Sequence, residues 1–206
     1  MKRFILILAI FIYCSAFCQA QKDLNIDFML RGYVYAKSSI NDTMSLGGFG
    51  SSYNAAKKIT DSINFPEGGF FMKIDTTRIT TFAKGINGYT LFMVNKSDTI
   101  VRLTASDSRL KVIAEVYYEG KWQAIEYLPR SSCGNSYHGV YLNKNEYWSF
   151  SIPKFDGKIK VQLRYRLMLG KDQFIYSNKI EAQINVGQLT QKQDHQPSGI
   201  MDPHND

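Results

Sequence analysis

From residue 70 to residue 186 the chain reads as short runs of β-branched and aromatic residues separated by turn residues. The clearest run covers 158–169. Ile159, Val161, Leu163, Tyr165, Leu167 and Leu169 fall on one parity, and Lys158, Lys160, Gln162, Arg164, Arg166 and Met168 on the other. A period of two over this length predicts a half-buried strand with one face in the core and one in water. The stretch 179–186 repeats the pattern, with Ile180, Ala182, Ile184 and Val186 alternating with Lys179, Glu181, Gln183 and Asn185. In 146–152, Trp148, Phe150 and Ile152 oppose Tyr147, Ser149 and Ser151. Further strands are predicted at 27–35, 70–75, 89–95, 99–105, 110–118, 121–128, 140–142 and 173–176. Asn87-Gly88, Glu119-Gly120 and Asp156-Gly157 are turn pairs of the kind favoured where φ must be positive. Many short strands at this spacing predict an all-β, mostly antiparallel fold, a sandwich or a barrel.

Other segments break the alternation. Gly47-Gly48-Phe49-Gly50 predicts a loop. Ser51 or Ser52 then stands where a helix cap is wanted, and Ala55, Ala56, Ile59 and Ile63 share a helical face, which predicts a short helix over 53–63. Pro66-Glu67-Gly68-Gly69 ends any regular element. Residues 187–206 lose apolar periodicity and predict a disordered tail. Residues 21–87 are thus expected to form an N-terminal extension packed on a sandwich of residues 88–186.

The first twenty residues change the setting. Met1-Lys2-Arg3 is positive, Phe4 to Phe17 is apolar but for Ser15, and Cys18-Gln19-Ala20 offers small residues for cleavage after Ala20. That is the grammar of a signal peptide, and the run is shorter than the ~20 apolar residues a spanning helix needs. The chain is therefore expected to be exported, to the periplasm or the cell exterior, with no transmembrane segment in the mature protein. Removing Lys2 and Arg3 with the leader lowers the formal charge from +7 to +5. This mild basicity favours anionic partners weakly and carries no nucleic-acid motif. Cys14 and Cys18 leave with the leader, so only Cys133 remains and no internal disulfide forms.

Candidate chemistry gathers in two places. The loop 130–139 holds Cys133, Asn135, Tyr137 and His138. Cys133 with His138 as its base would be a thiol nucleophile, but no orienting third residue or protease-like flank accompanies it. In the plainer reading Cys133 packs as a small hydrophobe and Gly134-Asn135 makes a turn. Between these, Asn135, Tyr137 and His138 would form a binding surface, as loops at a sandwich end often do. The second place is the basic parity Lys158, Lys160, Arg164 and Arg166, either an anion-binding stripe or a solvated face paired with Glu181 or Glu115. Trp122 or Tyr147, if exposed on a flat face, would offer a platform for sugar rings. Asn41-Asp42-Thr43 and Asn95-Lys96-Ser97 match the glycosylation triplet, a pattern frequent by chance. Asp194, His195, Asp202, His204 and Asp206 would lose too much ordering entropy to hold a metal tightly. No metal or cofactor is expected.

The Cys-Gln-Ala-Gln end of the leader resembles the signal peptides of Gram-negative envelope proteins. Gly88-Tyr89-Thr90-Leu91, Trp122-Gln123-Ala124-Ile125-Glu126-Tyr127, Ser132-Cys133-Gly134-Asn135-Ser136-Tyr137-His138, residues 160–167 and Tyr176-Ser177-Asn178 together resemble an uncharacterised family of exported bacterial proteins. The resemblance covers about half of the chain. It implies export and an immunoglobulin-like sandwich, and supplies no catalytic residues. The expectation is a non-catalytic binding or structural module of the cell envelope, partnered by an envelope protein or an anionic polysaccharide. A glycan-binding module and a Cys133/His138 hydrolase stand as alternatives.

Overall fold

The computed structural model describes residues 21–60, 65, 66, 68–129 and 134–192. Its strands run in chain order as β1 (Leu24–Asn25), β2 (Leu30–Arg31), β3 (Lys57–Lys58), β4 (Phe70–Ala83), β5 (Ile86–Asn95), β6 (Val101–Ser106), β7 (Arg109–Leu110) and β8 (Val112–Tyr118). They continue as β9 (Lys121–Ala124), β10 (Glu126–Tyr127), β11 (Tyr137–Leu142), β12 (Glu146–Pro153), β13 (Phe155–Asp156), β14 (Ile159–Gly170), β15 (Gln173–Tyr176) and β16 (Ile180–Ile184). One sheet has the order β3-β12-β5-β4. A second has the order β15-β14-β8-β9, with β16 also on β14. A third, β11-β6-β7, and two short parallel pairs, β1-β13 and β10-β2, complete the set. The fold is all-β, its main sheets are antiparallel, and its layers form a sandwich.

The alternation in the sequence explains the layers. Val161, Leu163, Tyr165 and Leu167 of β14 are buried, while Lys160 and Gln162 are exposed. Trp148, Phe150 and Ile152 of β12 face the same core from the other sheet. That core runs from Leu24, Ile26 and Leu30 to Ile184, so residues 21–87 contribute to one body with the rest. A second cluster packs Phe65, Val94 and Tyr147.

Several expectations are corrected by long-range contacts. Residues 53–60, expected to be helical, form no helix and include β3, which pairs Lys57 with Tyr147 and Lys58 with Glu146. Asn54 Nδ2 donates to the carbonyls of Tyr35 (3.3 Å) and Ser149 (3.2 Å), which holds this segment open. Residues 61–63 of that helix lie outside the described residues. The strand expected at 27–35 reduces to β2 and isolated bridges. The tail expected from 187 begins with a 3-10 turn, Val186–Leu189, whose Gln188 is fully buried, and Lys192 bridges to Met29. Residues 193–206 lie outside the described residues. Asn95 of the second glycosylation triplet is fully buried, its amide donating to the carbonyls of Thr99, Leu142 and Asn143.

Two of the glycine pairs have a different cause from the one expected. Glu119 and Gly120 do have positive φ, 50° and 79°, between β8 and β9. Gly88, however, lies inside β5, and a Cβ there would press on the carbonyl of Ile152. At Gly157 a Cβ would overlap the backbone of Ile184. Gly157→Ala is therefore expected to destabilise by about 2 kcal/mol or more. Gly134→Ala, where an added Cβ would meet no atom of the described residues, should stay within about 0.5 kcal/mol. Urea unfolding of both variants checks this, and equal midpoints would contradict the close approach.

Two sheet edges are covered by side chains. The Ile74 N–H and C=O of β4 are met by Asn178 Oδ1 (2.6 Å) and Nδ2 (3.1 Å), as a neighbouring strand would meet them. On β11, Gly139 N donates to Asp42 Oδ2 (2.6 Å), Tyr141 N donates to Ser38 Oγ (2.8 Å), and the Tyr141 carbonyl accepts from Ser39 N (2.8 Å). Such cover removes templates for unwanted strand pairing.

Candidate functional site

The basic stripe of β14 divides into two halves. Glu115 on β8 lies opposite Arg164 and is almost fully buried. Its Oε2 accepts from Arg164 Nε (3.2 Å) and NH2 (3.1 Å), and its Oε1 accepts from Arg166 NH1 (2.8 Å). The Arg164 guanidinium also lies between two rings, 3.9 Å from the centroid of Trp122 and 3.8 Å from that of Tyr176. Arg166 sits 4.9 Å from Phe174. A guanidinium can stack and pair with a carboxylate at the same time because it is planar. Arg164 and Arg166 therefore rigidify the sheet, and Trp122 is part of that ladder. Lys158 and Lys160 differ. Both are exposed, with no ion pair among the described residues.

Lys160 reaches a groove of about 740 Å³ between β14–β16 and the chain around β13. This lies within the ~300–1,000 Å³ of ordinary ligand sites. Tyr89, Tyr117, Pro153 and Phe155 give it aromatic and apolar surface. Asp23, Lys154, Asp156, Lys160 and Glu181 supply charge of both signs. Lys154 and Asp23 are bridged at 2.7 Å, and Asp156 Oδ2 accepts from Asn25 Nδ2 at 3.0 Å. Three carboxylates beside two ammonium groups make the groove amphipathic rather than an anion trap.

The segment read as a loop from 130 to 139 is a strand from Tyr137 onward. Cys133 lies outside the described residues. Asn135 sits exposed in a 3-10 turn, Gly134–Ser136, and Tyr137 is 44% exposed. His138 is buried. Its Nε2 accepts from the Ser108 backbone N–H at 2.9 Å, so the ring proton sits on Nδ1 and meets the Gly139 carbonyl at 3.1 Å. Phe49 stacks on the ring at 3.6 Å and 11°. Protonation of Nε2 would remove the Ser108 acceptor, and burial holds the His138 pKa below its usual value. An imidazole so engaged holds Phe49 and the Ser108 backbone against β11 instead of serving as a free base. Tyr147, the second candidate sugar platform, is buried against Phe65.

The lowered His138 pKa has a definite sign. The folded state disfavours the imidazolium, so this group's contribution is intact above the unfolded value of ~6.5 and is lost as pH falls below it. Titration of His138 by NMR is expected to give a midpoint below 6.5, and a midpoint at or above that value would contradict the neutral packing.

A further group was invisible in the sequence. Glu126 of β10 is buried and accepts from Ala114 N at 2.9 Å on Oε2. Its Oε1 accepts from the Tyr33 hydroxyl at 2.8 Å, and the Tyr165 hydroxyl lies 2.7 Å from that of Tyr33. Burial pushes the carboxyl up to about 7, and burial beside it pushes both phenols well above their usual range. None of the three residues lines the groove, so the trio acts as a core network. The groove was also missed, because it draws on segments around 23, 89, 117, 153, 160 and 180. No described group of His, Cys, Asp and Glu gathers in a form that could hold a metal ion, and no described helix is long and apolar enough to cross a membrane.

No family model matches this chain, and no curated protein or solved structure matches it either.

Proposed function

We propose that this protein is a non-catalytic binding module of a bacterial cell envelope, exported to the periplasm or beyond, and that the groove at Lys160 is its ligand-engaging surface. The groove carries the reading: it is large enough for a ligand segment and combines aromatic walls with a polar rim. The leader grammar and the resemblance to exported Gram-negative proteins support the compartment. An envelope protein is the favoured partner, because the rim carries charge of both signs.

An anionic polysaccharide is the second reading, favoured by the exposed Lys158 and Lys160, which make no ion pair among the described residues. The hydrolase reading is weakened by the engagement of both His138 ring nitrogens. It would return if Cys133 alkylated fast at neutral pH and more slowly in His138→Ala.

Capture of ligand from envelope extract and from purified envelope polysaccharide, at low and high salt, tests the reading. The groove variant Tyr89→Ala is expected to lose capture, and the double variant Asn135→Ala/Tyr137→Ala to retain it. Retention that high salt abolishes would favour the polysaccharide. Capture lost only in the Asn135/Tyr137 variant would move the work face to that loop.

A further inference from the structure

We infer that β16 accepts an extended polypeptide as an added strand, with the groove holding alternate side chains of that segment. This rests on the reading of the groove as the ligand surface and names its occupant.

The observation is an uncovered strand edge beside a groove. β16 pairs with β14 along one edge, Ile180 with Leu163 through Ile184 with Ile159. Among the described residues no strand is hydrogen-bonded to its other edge, although β13 packs close to β16. No hydrogen bond from elsewhere in the described chain reaches the main chain of residues 180–183. Those same residues line the groove. In an antiparallel strand alternate residues direct N–H and C=O to opposite edges, so one edge of β16 presents unspent donors and acceptors. The contrast within the molecule is sharp. The exposed edges of β4 and β11 are met by the side chains of Asn178, Asp42 and Ser38; among the described residues β16 has no such cover.

The main chain chooses between occupants. Donors and acceptors spaced along four residues match another extended backbone, over ~14 Å. A sugar ring offers no ladder of that spacing. The walls suit the side chains such a segment would carry. Ile180, Ala182, Val161, Leu163, Phe155 and Tyr89 give apolar contact. In strand addition the main-chain bonds supply affinity, and pockets for alternate side chains supply selectivity.

The test uses the purified, export-processed protein and a random decapeptide library. Peptides enriched on the protein are synthesised with N-methyl groups at alternate residues, in each of the two frames. Methylation in one frame is expected to weaken binding at least about tenfold, through loss of about two main-chain bonds to β16, and the other frame to leave it nearly unchanged. Hydrogen exchange should slow at residues 180–183 on peptide binding. Ala182→Arg, which fills the groove, should abolish binding, and so should Tyr89→Ala, which leaves β16 untouched. Both variants are expected to keep the fold, which thermal melting checks.

Equal sensitivity in both frames, or in neither, would overturn strand addition. So would failure to enrich any peptide while polysaccharide capture falls in Tyr89→Ala; the binding-module reading would then survive. If no peptide, polysaccharide or extract protein responds to either variant, both readings fall.

Discussion

Trp148→Ala should remove about 4 kcal/mol of folding stability, a large part of the ~5–15 kcal/mol that holds a domain folded. Trp148 is fully buried in the core between the main sheets. Its indole Nε1 donates to the Lys37 carbonyl at 3.0 Å, so it also ties the segment before β3 to β12. Truncation leaves a cavity and an orphaned carbonyl together. Trp148→Phe keeps most of the packing and loses the bond, and should cost about half as much. Denaturant unfolding with unchanged m-values checks both. A loss below about 1 kcal/mol for the alanine variant would contradict this core.

The second large effect belongs to Glu126. Its folded pKa of about 7 stands above the ordinary 4.5. The folded state therefore binds the proton more tightly than the unfolded state. Its contribution is fully present below pH 4.5 and is lost as pH rises through 7. The full span is about 3 kcal/mol. Glu126→Gln keeps a carbonyl for Ala114 N–H and a polar group for Tyr33, and removes the titration. Wild type should lose about 3 kcal/mol more stability than Glu126→Gln between pH 4.5 and pH 8. Unfolding free energies at four pH values measure it, and parallel curves would contradict a neutral buried carboxyl. The sign is opposite to that of His138, so the wild-type curve alone cannot assign either group.

The alternation of β14 was legible because a half-buried strand must alternate. The inward side of Trp148 followed from the same rule, and the β8–β9 turn was legible at Glu119-Gly120. What failed was decided by distant chain. Ala55, Ala56 and Ile59 have helical spacing, yet Asn54 bonds to the Tyr35 and Ser149 carbonyls and β3 pairs with β12. Gly157 is needed for its approach to Ile184, which its neighbours do not disclose. His138 looked like loop chemistry, but pairing with Ala105 carries it into a strand and its ring under Phe49. Arg164 and Arg166 looked like Lys158 and Lys160; only Glu115 and the rings across the sheet separate them. The groove and the Glu126 trio each need residues far apart in sequence, so no local pattern marks them.

The central claim is that ligand enters the groove beside β16. Hydrogen exchange across the whole chain, with and without the purified envelope fraction that the protein retains, tests it most directly. Protection is expected at residues 180–183, around Tyr89 and around 153–156, with little change at Asn135 and Tyr137. Protection confined to 134–139, with the groove unchanged, would contradict the account.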